Sequence, residues 1–191
     1  MRIAIYGGTF NPIHKGHTSL SQALIEQQIV DEVWLMVSPQ NPHKEADAAP
    51  YEDRLAMAQL ATQGMEGIRV SDFERNLPIP SYTYTTLTLL SEQYPQHQFY
   101  LVIGADNWTN FPRWYHATDI LCTFPILIYP RPNYPVDLTT APKGSSVTII
   151  EAPLYVRVYH PYFSVLANIC ATNVVQRSFY NRDGGTFWCG S

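Results

Sequence analysis

The tightest constraint on the fold lies at the start of the chain, where the apolar run Ile3 to Tyr6 stops at Gly7-Gly8 and gives way to a helical pattern. A strand with no polar face is buried on both sides, which is the signature of a parallel sheet covered by helices. Leu20, Ala23 and Leu24 share one face of the following helix, so the stretch reads as a strand-to-helix unit. Gly7 and Gly8 are expected to form the tight turn between the two, through positive φ, with backbone amides close to a ligand. Amides beside a helix N-terminus make an anion site.

The alternation continues along the chain. Strands are predicted at Glu32 to Val37, Ile68 to Val70, Gln98 to Gly104, Pro125 to Tyr129 and Val147 to Glu151. Helices are predicted at Tyr51 to Thr62, with Met57, Leu60 and Ala61 on one side, and after an N-cap at Thr83, with Leu87, Leu90 and Tyr94 on one face. Ser38 to Pro50 is a long polar, proline-bearing loop of the kind that binds ligands. Gly104-Ala105-Asp106-Asn107 reads as a turn at a strand's carboxyl end, the edge where open α/β sheets take their ligands. The expected fold is α/β, a Rossmann-like doubly wound, mostly parallel sheet with helices on both faces. Residues 1–155 are expected to form this α/β domain and 156–191 a C-terminal segment of the same domain.

Charge narrows the ligand. With 12 Lys plus Arg against 16 Asp plus Glu the net charge is −4, which disfavours a nucleic acid polymer and leaves a small anion met locally. Nothing near the N-terminus resembles a signal peptide, because the strand runs straight into a glycine turn, and no apolar run reaches the roughly 18 residues of a membrane span. Three cysteines without C-x-x-C spacing suit reduced thiols, so a soluble cytoplasmic protein is expected.

His14 and His17 enter the helix together with Gly16 between them, and two imidazoles there can bind metal, move protons or stabilise negative charge. No third ligand stands at suitable spacing, which disfavours a metal and favours charge stabilisation.

GGTFNPIHKGH (Gly7 to His17) resembles the G-x-F-[DN]-P-x-H-x-G-H signature of the nucleotidyltransferase α/β-phosphodiesterase superfamily. PQNPHK (Pro39 to Lys44), YEDRLAM (Tyr51 to Met57), PSYTYTTL (Pro80 to Leu87), IGADNWTNFPRW (Ile103 to Trp114) and YPRP (Tyr129 to Pro132) follow in order. Together they resemble the bacterial nicotinate-nucleotide adenylyltransferases over roughly residues 1 to 155. The resemblance implies transfer of AMP from ATP to nicotinic acid mononucleotide, giving the dinucleotide and pyrophosphate in NAD synthesis. It implies that His14 and His17, protonated, contact the ATP phosphates; that Gly7, Gly8, Thr9, Phe10, Gly16, Gly104 and Asp106 line the nucleotide; and that Mg²⁺ arrives on ATP, without a protein cage. It further implies that Lys44, Tyr82, Thr83, Trp114 and Arg131 serve the acceptor or its phosphate, Tyr82 and Thr83 through backbone groups at its carboxylate and Trp114 by stacking on its ring.

The resemblance breaks after Glu151-Ala-Pro-Leu-Tyr155, where relatives carry an I-S-S-T-x-I-R motif that this chain lacks. Cys170-Ala-Thr172 with Arg177 is the nearest stretch, but its arginine falls off the threonine's helix face. Either the tail is divergent, or the sequence leaves its ancestral reading frame near Tyr155. Two further readings therefore stand beside the first: a nucleotide-binding homologue with impaired or no catalysis, and an adenylyltransferase for another phosphate acceptor.

Overall fold

A computed structural model describes residues 1–39, 48–139 and 141–151. Within them the chain forms one six-stranded sheet in the order β3-β2-β1-β4-β5-β6, comprising β1 (Arg2–Gly8), β2 (Glu32–Val37), β3 (Ile68–Ser71), β4 (Gln98–Gly104), β5 (Ile126–Tyr129) and β6 (Val147–Ile149). Every neighbouring pair runs parallel. β1 lies in the middle, with Ile5 opposite both Trp34 of β2 and Leu101 of β4. The chain winds outward from β1 to β3, then returns to β4 and winds the other way. That reversal opens a crevice at the carboxyl ends of β1 and β4, the place where sheets of this kind hold ligands.

Alternate strand residues feed two cores, as a doubly wound sheet requires. Ala4, Tyr6, Leu35 and Val37 pack with Leu20 and Leu24 of α1 (Lys15–Glu26) and Leu55 and Ala58 of α2 (Tyr51–Ala61). Ile3, Ile5, Met36 and Leu101 pack with Leu87 and Leu90 of α3 (Thr83–Gln93), Trp108 of α4 (Ala105–Asn110) and Ile120 of α5 (Ala117–Thr123). Among the described residues no helix is long and apolar enough to cross a membrane.

Several local expectations change. Gly7 and Gly8 belong to β1 and neither has positive φ; the left-handed residue of the turn is Phe10, at φ 46°. Gly8 is small for packing, since a Cβ there would sit 3.2 Å from the Phe10 ring. α2 buries Arg54, Leu55 and Ala58, whereas Leu60 is 42% exposed. An arginine on the inner face hid that stripe from a reading based on apolar spacing. Tyr82, not Thr83, is the N-cap of α3, and Tyr94 follows the helix as its C-cap while its ring packs on Trp34. Gly104 to Asn107 is the start of α4, with no intervening turn.

Candidate active site

β1 delivers its turn to the crevice, and the two histidines there fold onto each other. His14 is the N-cap of α1; its Nδ1 accepts the Gly16 amide at 3.1 Å, while the His14 amide donates to Nδ1 of His17 at 3.2 Å. This is a reciprocal capping box in which imidazoles replace the usual hydroxyl and carboxyl groups. The rings stack with centroids 3.7 Å apart and planes 29° apart. Each Nδ1 accepts a backbone amide, so a neutral ring at either position carries its proton on Nε2. Partial desolvation, and secondarily the positive charge of Arg131, lower the pKa of His14. Its charged state is thus disfavoured by these surroundings.

The turn is anchored from beneath. Phe10, expected at the nucleotide, is 3% exposed, and its ring meets Tyr6 and His17 edge-on at 5.8 and 5.0 Å. Only its backbone remains at the turn. Gly16 commits its amide to His14, whereas Gly7 is exposed at the strand end with open space beside its Cα. The Thr9 hydroxyl is buried without a hydrogen-bond partner among the described residues.

Arg54 was absent from the residues singled out by sequence. Its guanidinium donates to four carbonyls, those of Thr9 (2.6 Å), Ser38 (2.9 Å), Pro39 (3.0 Å) and Ala49 (2.9 Å). It thereby ties the histidine turn to the end of β2 and to both flanks of the segment carrying Lys44, which itself lies outside the described residues. Burial lowers the Arg54 pKa, yet the side chain stays a cation because an arginine begins so far above neutrality.

The ends of β4 and β5 bring Asp106 and Arg131 together, with Nε 3.1 Å from Oδ1 in a half-buried pair. Arg131 also donates to the Tyr129 hydroxyl at 2.8 Å, and Tyr6 donates to the same oxygen at 3.4 Å. Burial raises the Tyr6 pKa far above its ordinary range, so this phenol remains a neutral hydrogen-bond donor. Gly104 makes the ion pair possible: a Cβ there would strike the Asp106 carboxylate and lie 3.1 Å from Arg131 Nε. Arg131 is therefore part of the crevice, and its charge is felt at His14.

The remaining predicted residues gather around the start of α3. Tyr82 is exposed, and its ring lies 4.8 Å from that of Tyr115 at 34°. Trp114, the neighbour of Tyr115, is half-buried and tilted against Phe111 at 5.2 Å. One side of the indole is thus occupied by the core. Glu74, a second residue missed by sequence, is buried behind this helix start, where Ser81 and Thr86 donate to it. Its short polar surroundings look like any exposed turn, so no local pattern marks it. Among the described residues no group of three His, Cys, Asp or Glu side chains is arranged to hold a metal.

The family model described as cytidylyltransferase-like matches residues 5–155. A probable nicotinate-nucleotide adenylyltransferase from Bacteroides fragilis is 46% identical over 155 residues, covering 81% of this chain and 76% of that protein. One from Bacteroides thetaiotaomicron is 45% identical with the same coverage. Among solved structures, the Plasmodium falciparum nicotinic acid mononucleotide adenylyltransferase complexed with NaAD superposes with a TM-score of 0.69 at 20% identity, over 86% of this chain and 78% of that one, a likeness of fold.

Proposed function

The chain belongs to the cytidylyltransferase-like family, among the nicotinate-nucleotide adenylyltransferases, and on that premise we propose that it transfers the adenylyl group of ATP to nicotinic acid mononucleotide in NAD synthesis. The reaction joins a phosphate oxygen of the acceptor to the α-phosphorus of ATP and breaks the bond to the β-phosphate, releasing pyrophosphate. The attacking phosphate is already ionised at neutral pH, so a general base is unnecessary. Catalysis reduces to alignment and to stabilising charge at the α-phosphate.

The stacked histidine cap carries this reading. Two Nε2–H donors fixed by the backbone at the crevice can bind phosphate oxygens without being reoriented, which is how preorganised donors lower a barrier. Arg131, held by Asp106 and Tyr129, adds positive charge on the same side. Gly7 leaves open space for the nucleotide, and Lys44 belongs to the segment flanked by Pro39 and Ala49. Tyr82 and Thr83 supply backbone groups for the acceptor's carboxylate, and Trp114 an aromatic face for its ring. Mg²⁺ fits as part of the substrate: it prefers oxygen ligands, the crevice offers imidazoles and a carboxylate engaged by Arg131, and ATP brings phosphate oxygens of its own. A cytoplasmic setting follows from the substrates.

Pyrophosphate release that requires both ATP and nicotinic acid mononucleotide, measured on protein of verified intact mass, is the expected result. Calorimetric binding of ATP with no turnover would favour the nucleotide-binding reading, which the absent I-S-S-T-x-I-R motif motivates. Turnover with a different phosphate acceptor in a substrate panel would redirect the assignment of the acceptor.

A further inference from the structure

Glu74 is a buried carboxylate for which the reaction above has no use. It lies in the short 3-10 turn Phe73–Asn76 between β3 and α3 and is 8% exposed. Its Oε2 accepts from Ser81 Oγ at 3.0 Å and its Oε1 from Thr86 Oγ1 at 2.8 Å. Among the described residues no cation pairs with it; the adjacent Arg75 turns to Glu52 instead. Burial pushes its pKa up, and the hydroxyls of Thr86 and Ser81 pull it back. A carboxylate without a counter-charge is an expensive way to fill a core, since an apolar side chain would fill it more cheaply.

The destination of those hydrogen bonds gives the reason. Ser81 immediately precedes Tyr82, and Thr86 closes the first turn of α3, where its own amide donates to the Tyr82 carbonyl at 3.0 Å. Glu74 grips the chain on both sides of Tyr82 and Thr83, and neither of those residues supplies a side-chain cap to hold the helix start itself.

We propose that Glu74 is a positioning residue for the acceptor, fixing through Ser81 and Thr86 the Tyr82–Thr83 backbone that receives the carboxylate on the acceptor's pyridine ring. The inference rests on the adenylyl-transfer reading, and it makes Glu74 specific to one of the two substrates. Its hydrogen bonds to Ser81 and Thr86 reach neither the histidine cap nor the Asp106–Arg131 pair.

Steady-state kinetics with each substrate varied in turn test the proposal. Glu74→Gln keeps the shape and removes the charge and one acceptor oxygen; it should raise KM for nicotinic acid mononucleotide about tenfold. KM for ATP should stay within about twofold and kcat within about threefold. Ser81→Ala and Thr86→Val should split the two KM values in the same direction by smaller factors, and they decide the matter if Glu74→Gln does not fold. A lowered melting temperature with both KM values unchanged, or a parallel rise in both, overturns the inference. Absence of two-substrate turnover by the unsubstituted protein overturns the adenylyl-transfer reading and this inference together. Normal turnover with unsplit variants overturns this inference alone.

Discussion

The histidine turn after β1 and the start of α3 are built on opposite plans. Beneath the first lies a buried cation, Arg54, donating to four backbone carbonyls. Behind the second lies a buried carboxylate, Glu74, accepting from the hydroxyls of Ser81 and Thr86. Neither forms an ion pair among the described residues, so each charge is satisfied by dipoles alone. The turn is held through main-chain carbonyls, whereas the helix start is held through the side chains of Ser81 and Thr86. A backbone anchor suits a part that must present imidazoles in one orientation, and a side-chain anchor suits a part whose ligand preference can be tuned by substitution.

The largest effect should come from breaking the cationic anchor. Arg54→Met leaves four inward carbonyls without their donor and, at about 1–3 kcal/mol for a buried acceptor left unsatisfied, should cost at least about 3 kcal/mol of stability, read as a fall in melting temperature of about 10 °C. If the loss is under about 1 kcal/mol, the contrast between the two anchors collapses. Next in size, His17→Ala should lower kcat by about two orders of magnitude, with a stability loss of only about 1 kcal/mol from the missing cap acceptor. A stability loss several times larger, with kcat preserved, would make the histidine pair a capping device and nothing more.

A smaller change is expected at the far side of the crevice. Gly104→Ala should displace the Asp106 carboxylate from Arg131, costing about 1–3 kcal/mol by overpacking and weakening ATP affinity in calorimetry. The smallest effect concerns pH. The folded-state pKa of His14 is lowered, so its contribution to stability is present above the unfolded value, about 6.5, and is lost as pH falls through the folded value. Denaturant titrations between neutral and mildly acidic pH should show that loss, and His14→Asn, which retains a cap acceptor, should reduce it. A loss equally large in the Asn variant would assign the titration to another group.

Most of the framework was legible in sequence because it rests on apolar spacing. β2 and β4 begin and end where their apolar runs do, and α1 buries Leu20, Ala23 and Leu24 as its pattern predicts. The failures cluster where a polar group does the work of a core residue or an aromatic turns inward. Arg54 occupies the inner face of α2 and shifts its stripe, Phe10 plugs the turn from below, and Glu74 hides in a stretch that looks exposed. The histidines were visible as a pair, but their reciprocal cap was not, since capping boxes are ordinarily recognised by hydroxyl and carboxyl side chains.

The strand order also dictates when the crevice can exist. β1 takes β2 as its early neighbour on one side, with β3 beyond it, but on the other it must wait for β4, pairing Arg2 with Gln98. As the chain is synthesised, the histidine turn and its Arg54 anchor can assemble from the first seventy or so residues, leaving an unpaired edge on β1 for the interval. The ion pair that completes the crevice arrives only with β4 and β5. The nascent chain therefore carries half of the crevice, and an open strand edge beside it, well before the other half emerges.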